Sequence, residues 1–195
     1  LSENAYQTLL KRMLDAGYSQ LTLPTRFTKG IEGTSERVKV DLIAGEYVGG
    51  DKSATIQLNE LSINTLRGLD LAYEAWDEIE IEGVMPDGAR NKVRIRVVRP
   101  EAYILIKAFA LNDRQKDKDA YDIAFVLRNH ARLSDLAMRV GSLLTNGLAQ
   151  EGYDILKNKF ASVDHVAPVW AAREAAQNGA DYEQMRRAAY EDAQE

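Results

Sequence analysis

Three sets of charged residues stand where solubility alone is a poor explanation for them. Asp41, in Val38-Lys39-Val40-Asp41-Leu42-Ile43, falls on the polar side of a two-residue alternation. A carboxylate fixed on a strand suits a phosphoryl-transfer site, because divalent cations take oxygen ligands in set geometry. A lone aspartate facing solvent from a strand is more often ordinary surface, so Asp41 by itself carries little weight. Lys107 is the single charge in residues 102–111. An unpaired ammonium in so apolar a helix has to snorkel, find a carboxylate, or face a cleft where it meets an anion such as a triphosphate.

The third set is Arg114-Gln115-Lys116-Asp117-Lys118-Asp119-Ala120-Tyr121-Asp122-Ile123. Asp119 and Asp122 are three apart and share a helix face, with Arg114, Lys116 and Lys118 close by. The same residues also suit a helix start, with Asp119 as N-cap and Asp122 in the first turn at the positive end of the dipole. Other candidates fall away. The glycine-rich stretch 45–52 lacks the Walker spacing and reads as a loop. Asp164 and His165 are neighbours, but no serine nucleophile motif accompanies them.

The elements that must position these residues follow from pattern. Leu9, Leu10, Met13 and Leu14 form a helical stripe in residues 4–16, and Gly17 supplies the stop. Residues 36–44 alternate as one strand, with Val38, Val40 and Leu42 on one face and Lys39, Asp41 and Ile43 on the other. A short strand is expected over 55–58, and helix or loop over 72–76. Glu78, Glu80 and Glu82 alternate with Ile79 and Ile81, Pro86-Asp87-Gly88 turns the chain, and Arg94 and Arg96 alternate with Val93, Ile95 and Val97. This predicts a hairpin over 78–84 and 92–98 with opposite charges on a common face, and it reads Arg94 and Arg96 as cross-strand partners rather than an RNA stripe. Pro100 and Glu101 suit a helix start, a second helix is expected over about 119–130, and residues 133–195 are helix-prone with breaks at Gly141, Gly147, Gly152, Pro168 and Gly179.

Composition bounds the chemistry. The 195 residues, 45% hydrophobic, can bury a core for one domain or one domain with a helical extension. Cysteine is absent, which excludes disulfides and thiolate chemistry, fits a reducing compartment and leads us to expect a cytoplasmic protein. With two histidines, a metal must be held by oxygen, which means magnesium or manganese. The net charge of −5 leaves polyanion contacts to local basic clusters. No apolar run suits a membrane span.

The order of these pieces resembles the AbiEii-type nucleotidyltransferases: Val-Asp-Leu-Ile closing a strand, Arg99-Pro100-Glu101 opening a helix, Ile106-Lys107-Ala108 within it, then Arg114 and Lys118-Asp119-Ala120-Tyr121-Asp122-Ile123. The likeness spans residues 4–129. It implies transfer of a nucleoside monophosphate from a nucleoside triphosphate to an acceptor, transfer RNA in some members, with Mg2+ as cofactor and a cognate antitoxin as partner. By position it implies Asp41, Lys107 and Asp119 as catalytic residues, Asp41 also as metal ligand, and Lys107, Arg114, Lys118 and Asp122 as nucleotide contacts. It also implies an upstream Gly-Ser or Gly-Gly loop and an Asp-x-Asp pair. Neither occurs ahead of the helix over 4–16. Because the sequence opens on Leu1 and enters a helix at once, we expect it to begin part-way into a domain and to be inactive alone. The alternative is a binding or assembly module that keeps the fold without catalysis. The fold expected is α+β: a mixed sheet flanked by helices over 1–99 and a helical region over 100–195.

Overall fold

The computed structural model describes residues 3–20, 25–46, 55–58, 61–85 and 88–195. Within them the chain is α+β and forms two compact units, Leu1–Leu66 with Glu78–Ile95 and Arg67–Asp77 with Arg96–Glu195. No helix among the described residues is long and apolar enough to cross a membrane.

The first unit opens with α1 (Glu3–Asp15), stopped by Gly17 at φ +82° in the left-handed region that glycine tolerates best. Strands β1 (Ser19–Gln20), β2 (Arg26–Gly30) and β3 (Arg37–Asp41) make an antiparallel sheet in the order β1-β2-β3. Its register sets Arg26 opposite Asp41, Phe27 opposite Val40 and Thr28 opposite Lys39. Phe27 is fully buried. The expected single strand over 36–44 is in fact two. At Leu42, whose N–H donates to Thr25 O at 2.8 Å, the chain leaves β3 and enters β4 (Ile43–Gly45) in another sheet. There the order is β4-β6-β5, with β6 (Leu61–Leu66) parallel to β4 and antiparallel to β5 (Thr55–Leu58). Ile63 anchors a small core against Leu10, Leu42 and Ala44. This is the mixed sheet expected of the fold. Residues 47–52 of the glycine-rich stretch lie outside the described residues.

Strands β7 (Trp76–Val84) and β8 (Arg90–Val98) pair as a two-stranded ribbon. Lys92 meets Glu80 at 2.5 Å and Glu82 at 3.0 Å, while Arg94 meets Glu80 at 3.4 Å and Glu78 at 3.8 Å. The partner number falls as the strand number rises, so the strands are antiparallel with acid and base on one face. The tip closes through Met85 N–H to Ala89 O, and Gly88 adopts φ +83°, whereas Pro86 and Asp87 of the expected turn lie outside the described residues. Arg96 differs from Arg94: its guanidinium lies 4.1 Å from the centre of the Trp76 ring rather than on a glutamate.

The second unit holds a 3-10 turn (Leu69–Tyr73) and, among the described residues, six further α-helices: α2 (Pro100–Arg114), α3 (Asp117–Asn129), α4 (Leu133–Leu143), α5 (Gly147–Lys159), α6 (Val166–Gln177) and α7 (Tyr182–Gln194). Pro100 sits in the first turn of α2, where no amide is needed. Ala102, Leu105, Ala108 and Leu111 are fully buried, so α2 is the core helix, with α3 and α5 packed on it and α6 and α7 on α3. Of the expected breaks, Gly147 opens α5 and Gly179, at φ +86°, separates α6 from α7. Gly141 and Gly152 are instead inside α4 and α5, and Pro168 is in the first turn of α6. Gly152 has a packing reason, since a Cβ there would come within 3.1 Å of the Leu105 carbonyl oxygen.

Candidate functional site

The junction of α2 and α3 gathers five of the expected residues, Lys107, Arg114, Lys118, Asp119 and Asp122, into one network. On α2, Lys107 and Arg114 are two turns apart and therefore share a face. On α3 the helix begins at Asp117, with Lys116 as N-cap and no side-chain cap. Asp119 is thus the third helical residue and not the N-cap its position suggested. Its carboxylate leaves the helix end and reaches the cations of α2.

Lys107 Nζ donates to Asp119 Oδ1 at 3.1 Å and to Asp122 Oδ2 at 2.7 Å. Arg114 donates to the same Asp119 Oδ1 at 2.7 Å, and Lys118 lies 3.4 Å from Asp122 Oδ1. The interior is nearly dry, with the side chains of Lys107, Asp119 and Asp122 exposed by 19%, 4% and 16%. Burial pulls the Lys107 ammonium down, but hydrogen bonds to Asp122 and Asp119 outweigh it and hold its pKa above the ordinary lysine value. The Tyr103 ring lies 5.7 Å beneath that ammonium, and burial pushes the Tyr103 hydroxyl up, against the opposing charge of Lys107. So the lysine neither snorkels nor stands unpaired.

The rim differs from the interior. The Arg114 and Lys118 side chains are 48% and 69% exposed, so both can meet a ligand while touching the acids behind them. Three cations face two carboxylates, leaving one surplus positive charge. An ammonium has three N–H groups, and two of Lys107's are on carboxylates. Asp119 Oδ2 is buried without a hydrogen-bond partner among the described residues, an unmet demand that usually marks a missing donor. Chemically, the cluster can hold an anion at its rim and keep the anion's contacts rigid.

Asp41 belongs to the first unit, and its two oxygens take Arg26 Nε at 2.6 Å and Nη2 at 2.7 Å. Hydrogen bonding to Arg26 holds the Asp41 carboxyl below its usual range, against a small opposing effect of burial. Among the described residues no group of three or more histidine, aspartate or glutamate side chains is placed to hold a metal ion. With Asp41 occupied by Arg26 and the acids of the α2–α3 junction facing cations, the described residues do not fit a divalent cation. His165 Nδ1 bonds Lys159 O at 3.0 Å, and Asp164 pairs with Arg186.

Sequence reading missed two participants. Arg26 was recoverable, because pairing Arg-Phe-Thr-Lys-Gly antiparallel with Arg-Val-Lys-Val-Asp sets Arg26 against Asp41. Tyr103 was recoverable from its spacing, one turn before Lys107 on the same helix.

A family model described as "Nucleotidyl transferase AbiEii toxin, Type IV TA system" matches residues 3–192. No curated protein and no solved structure matches the chain.

Proposed function

We propose, from the premise that this chain belongs to the AbiEii family of nucleotidyl transferase toxins of type IV toxin–antitoxin systems, that the α2–α3 junction is where the nucleotide's phosphates are held. The single observation behind this is the surplus positive charge of Lys107, Arg114 and Lys118 over Asp119 and Asp122, with the two outer cations exposed. Arg114 and Lys118 contact the triphosphate from the rim, and Lys107 offers its third N–H from behind. Asp119 and Asp122 are positioning residues that fix the ammonium.

In this reading an acceptor hydroxyl attacks the α-phosphorus of a nucleoside triphosphate. The new P–O bond forms as the bond to the bridging oxygen breaks, pyrophosphate leaves and the hydroxyl proton is released. Fixed cations beside the pyrophosphate stabilise the charge that grows on it. Asp41, implied as a metal ligand by the resemblance, is held by Arg26, and no step is routed through a metal. The acceptor is RNA, transfer RNA by family resemblance, and the partner a cognate antitoxin, which fits a protein working in the cytoplasm.

A second reading has its own observation. Both oxygens of Asp41 and both acids of the junction already have cationic partners, as in a fold kept for binding and assembly. Transfer separates the two. The intact natural protein is incubated with magnesium, total RNA and nucleoside triphosphates labelled at the α-phosphate. Labelled RNA with wild type and none with Asp119→Asn supports transfer. Saturable nucleotide binding without labelling supports the binding module, and the absence of both binding and labelling contradicts the phosphate site itself.

A further inference from the structure

The helical unit contains a cavity of about 370 Å³, lined from α2, α3, α4, α5 and α7 and remote in chemistry from the α2–α3 ion network. Its walls are chiefly apolar, with Leu136, Val140, Leu156 and Phe160 among them. The volume lies at the small end of the range of small-molecule sites, about 300–1,000 Å³, and such sites typically pair an apolar body with a few polar groups. The end of α7 is tied to this wall, as Gln194 Nε2 donates to the Phe160 carbonyl at 3.2 Å.

The polar lining is lopsided. Asp192 and Glu195 bring two carboxylates, and Lys157 brings one ammonium, which lies 5.8 Å from the centre of the Tyr153 ring. Asp192 keeps Oδ2 buried without a hydrogen-bond partner among the described residues. A carboxylate in that state lacks a donor, and inside an apolar chamber that lack is costly. We propose that this cavity binds a small amphipathic amine, its apolar body among Leu136, Val140, Leu156 and Phe160 and its ammonium on Asp192. Burial raises the Asp192 pKa, the nearby Arg128 lowers it, and Glu191 and Glu195 raise it further.

Gly141 offers a clean way to close the site. It is one of the residues lining the cavity, within α4, and a Cβ there meets no atom within 4 Å, so the backbone admits a side chain at this edge of the chamber and Gly141→Leu favours the helix. The full chain is titrated calorimetrically with decylamine, decanol and decanoate, each below its aggregation limit, and melts are recorded for each variant. Decylamine is expected to bind at one saturable site, about tenfold tighter than decanol, as a hydrogen bond to a charged group warrants. Decanoate should bind more weakly than either. Gly141→Leu should abolish binding of all three while keeping the melting temperature, and Asp192→Asn should remove the preference for amine over alcohol but leave alcohol binding intact. No saturable amine binding, equal affinity for decanoate, or unchanged binding in Gly141→Leu overturns the proposal.

Discussion

Lys107 Nζ lies 3.1 Å from Asp119 Oδ1, joining the middle of α2 to the start of α3 inside the protein. Asp119 also holds Arg114, and Lys107 also holds Asp122, so four side chains lock one helix to the next. Removing the lysine strips the shared cation from two largely buried carboxylates. Lys107→Ala is therefore expected to cost about 2–3 kcal/mol, somewhat less than a fully orphaned buried charge because Arg114 stays on Asp119. Urea denaturation measures it. A loss below about 0.5 kcal/mol, the range of exposed pairs, would contradict the buried network.

The same network sets a pH dependence. The pKa of Lys107 is raised in the folded protein, so its stabilising contribution is fully present below the unfolded lysine value and is lost as pH rises through the folded one. Wild type should therefore lose stability relative to Lys107→Ala above about pH 10.4 and keep a constant margin over it around neutrality. Thermal melts of both proteins across that range check the sign. A margin that widens on the alkaline side would contradict it.

Two glycines should respond in opposite directions. Gly68 has φ +80°, and an added Cβ would collide with the Phe109 ring, so Gly68→Ala should cost about 2 kcal/mol or more. Gly141 is inside α4 with open space around its Cβ position, so Gly141→Ala should gain about 0.5–1 kcal/mol. Chemical denaturation of both variants decides the matter, and a destabilised Gly141→Ala would show that α4 is packed differently.

What was legible in the sequence is what local pattern controls. The hairpin announced itself because two strands with period-two alternation and opposite charge admit few other arrangements, and Pro100 marked the start of α2. The division at Leu42 was hidden because the alternation runs on unbroken through the residue where the chain changes sheets. Asp119 looked like a cap because it stands near a helix start, yet the helix begins two residues earlier and the carboxylate is claimed by cations from another helix. Arg96 looked like a cross-strand ion-pair partner, but the Trp76 ring takes it instead. Gly152 looked like a helix break; only the approach of the Leu105 carbonyl shows why a glycine is needed inside α5. These are contacts between different elements, which the local pattern within one element does not encode.

The claim that the α2–α3 junction holds nucleotide phosphates is tested most directly at its rim. A fluorescent nucleoside triphosphate is titrated into the intact natural protein, into an Arg114→Ala/Lys118→Ala double variant, and into Lys11→Ala, which removes an exposed cation of α1 paired with Asp15. The Lys118 and Arg114 side chains are 69% and 48% exposed and Lys107 stays on Asp119, so the double variant should keep most of its melting temperature. The account predicts at least about a tenfold weaker Kd for the double variant, as loss of charge-assisted phosphate contacts warrants, and an unchanged Kd for Lys11→Ala. Equal affinities in the folded double variant and wild type would contradict it.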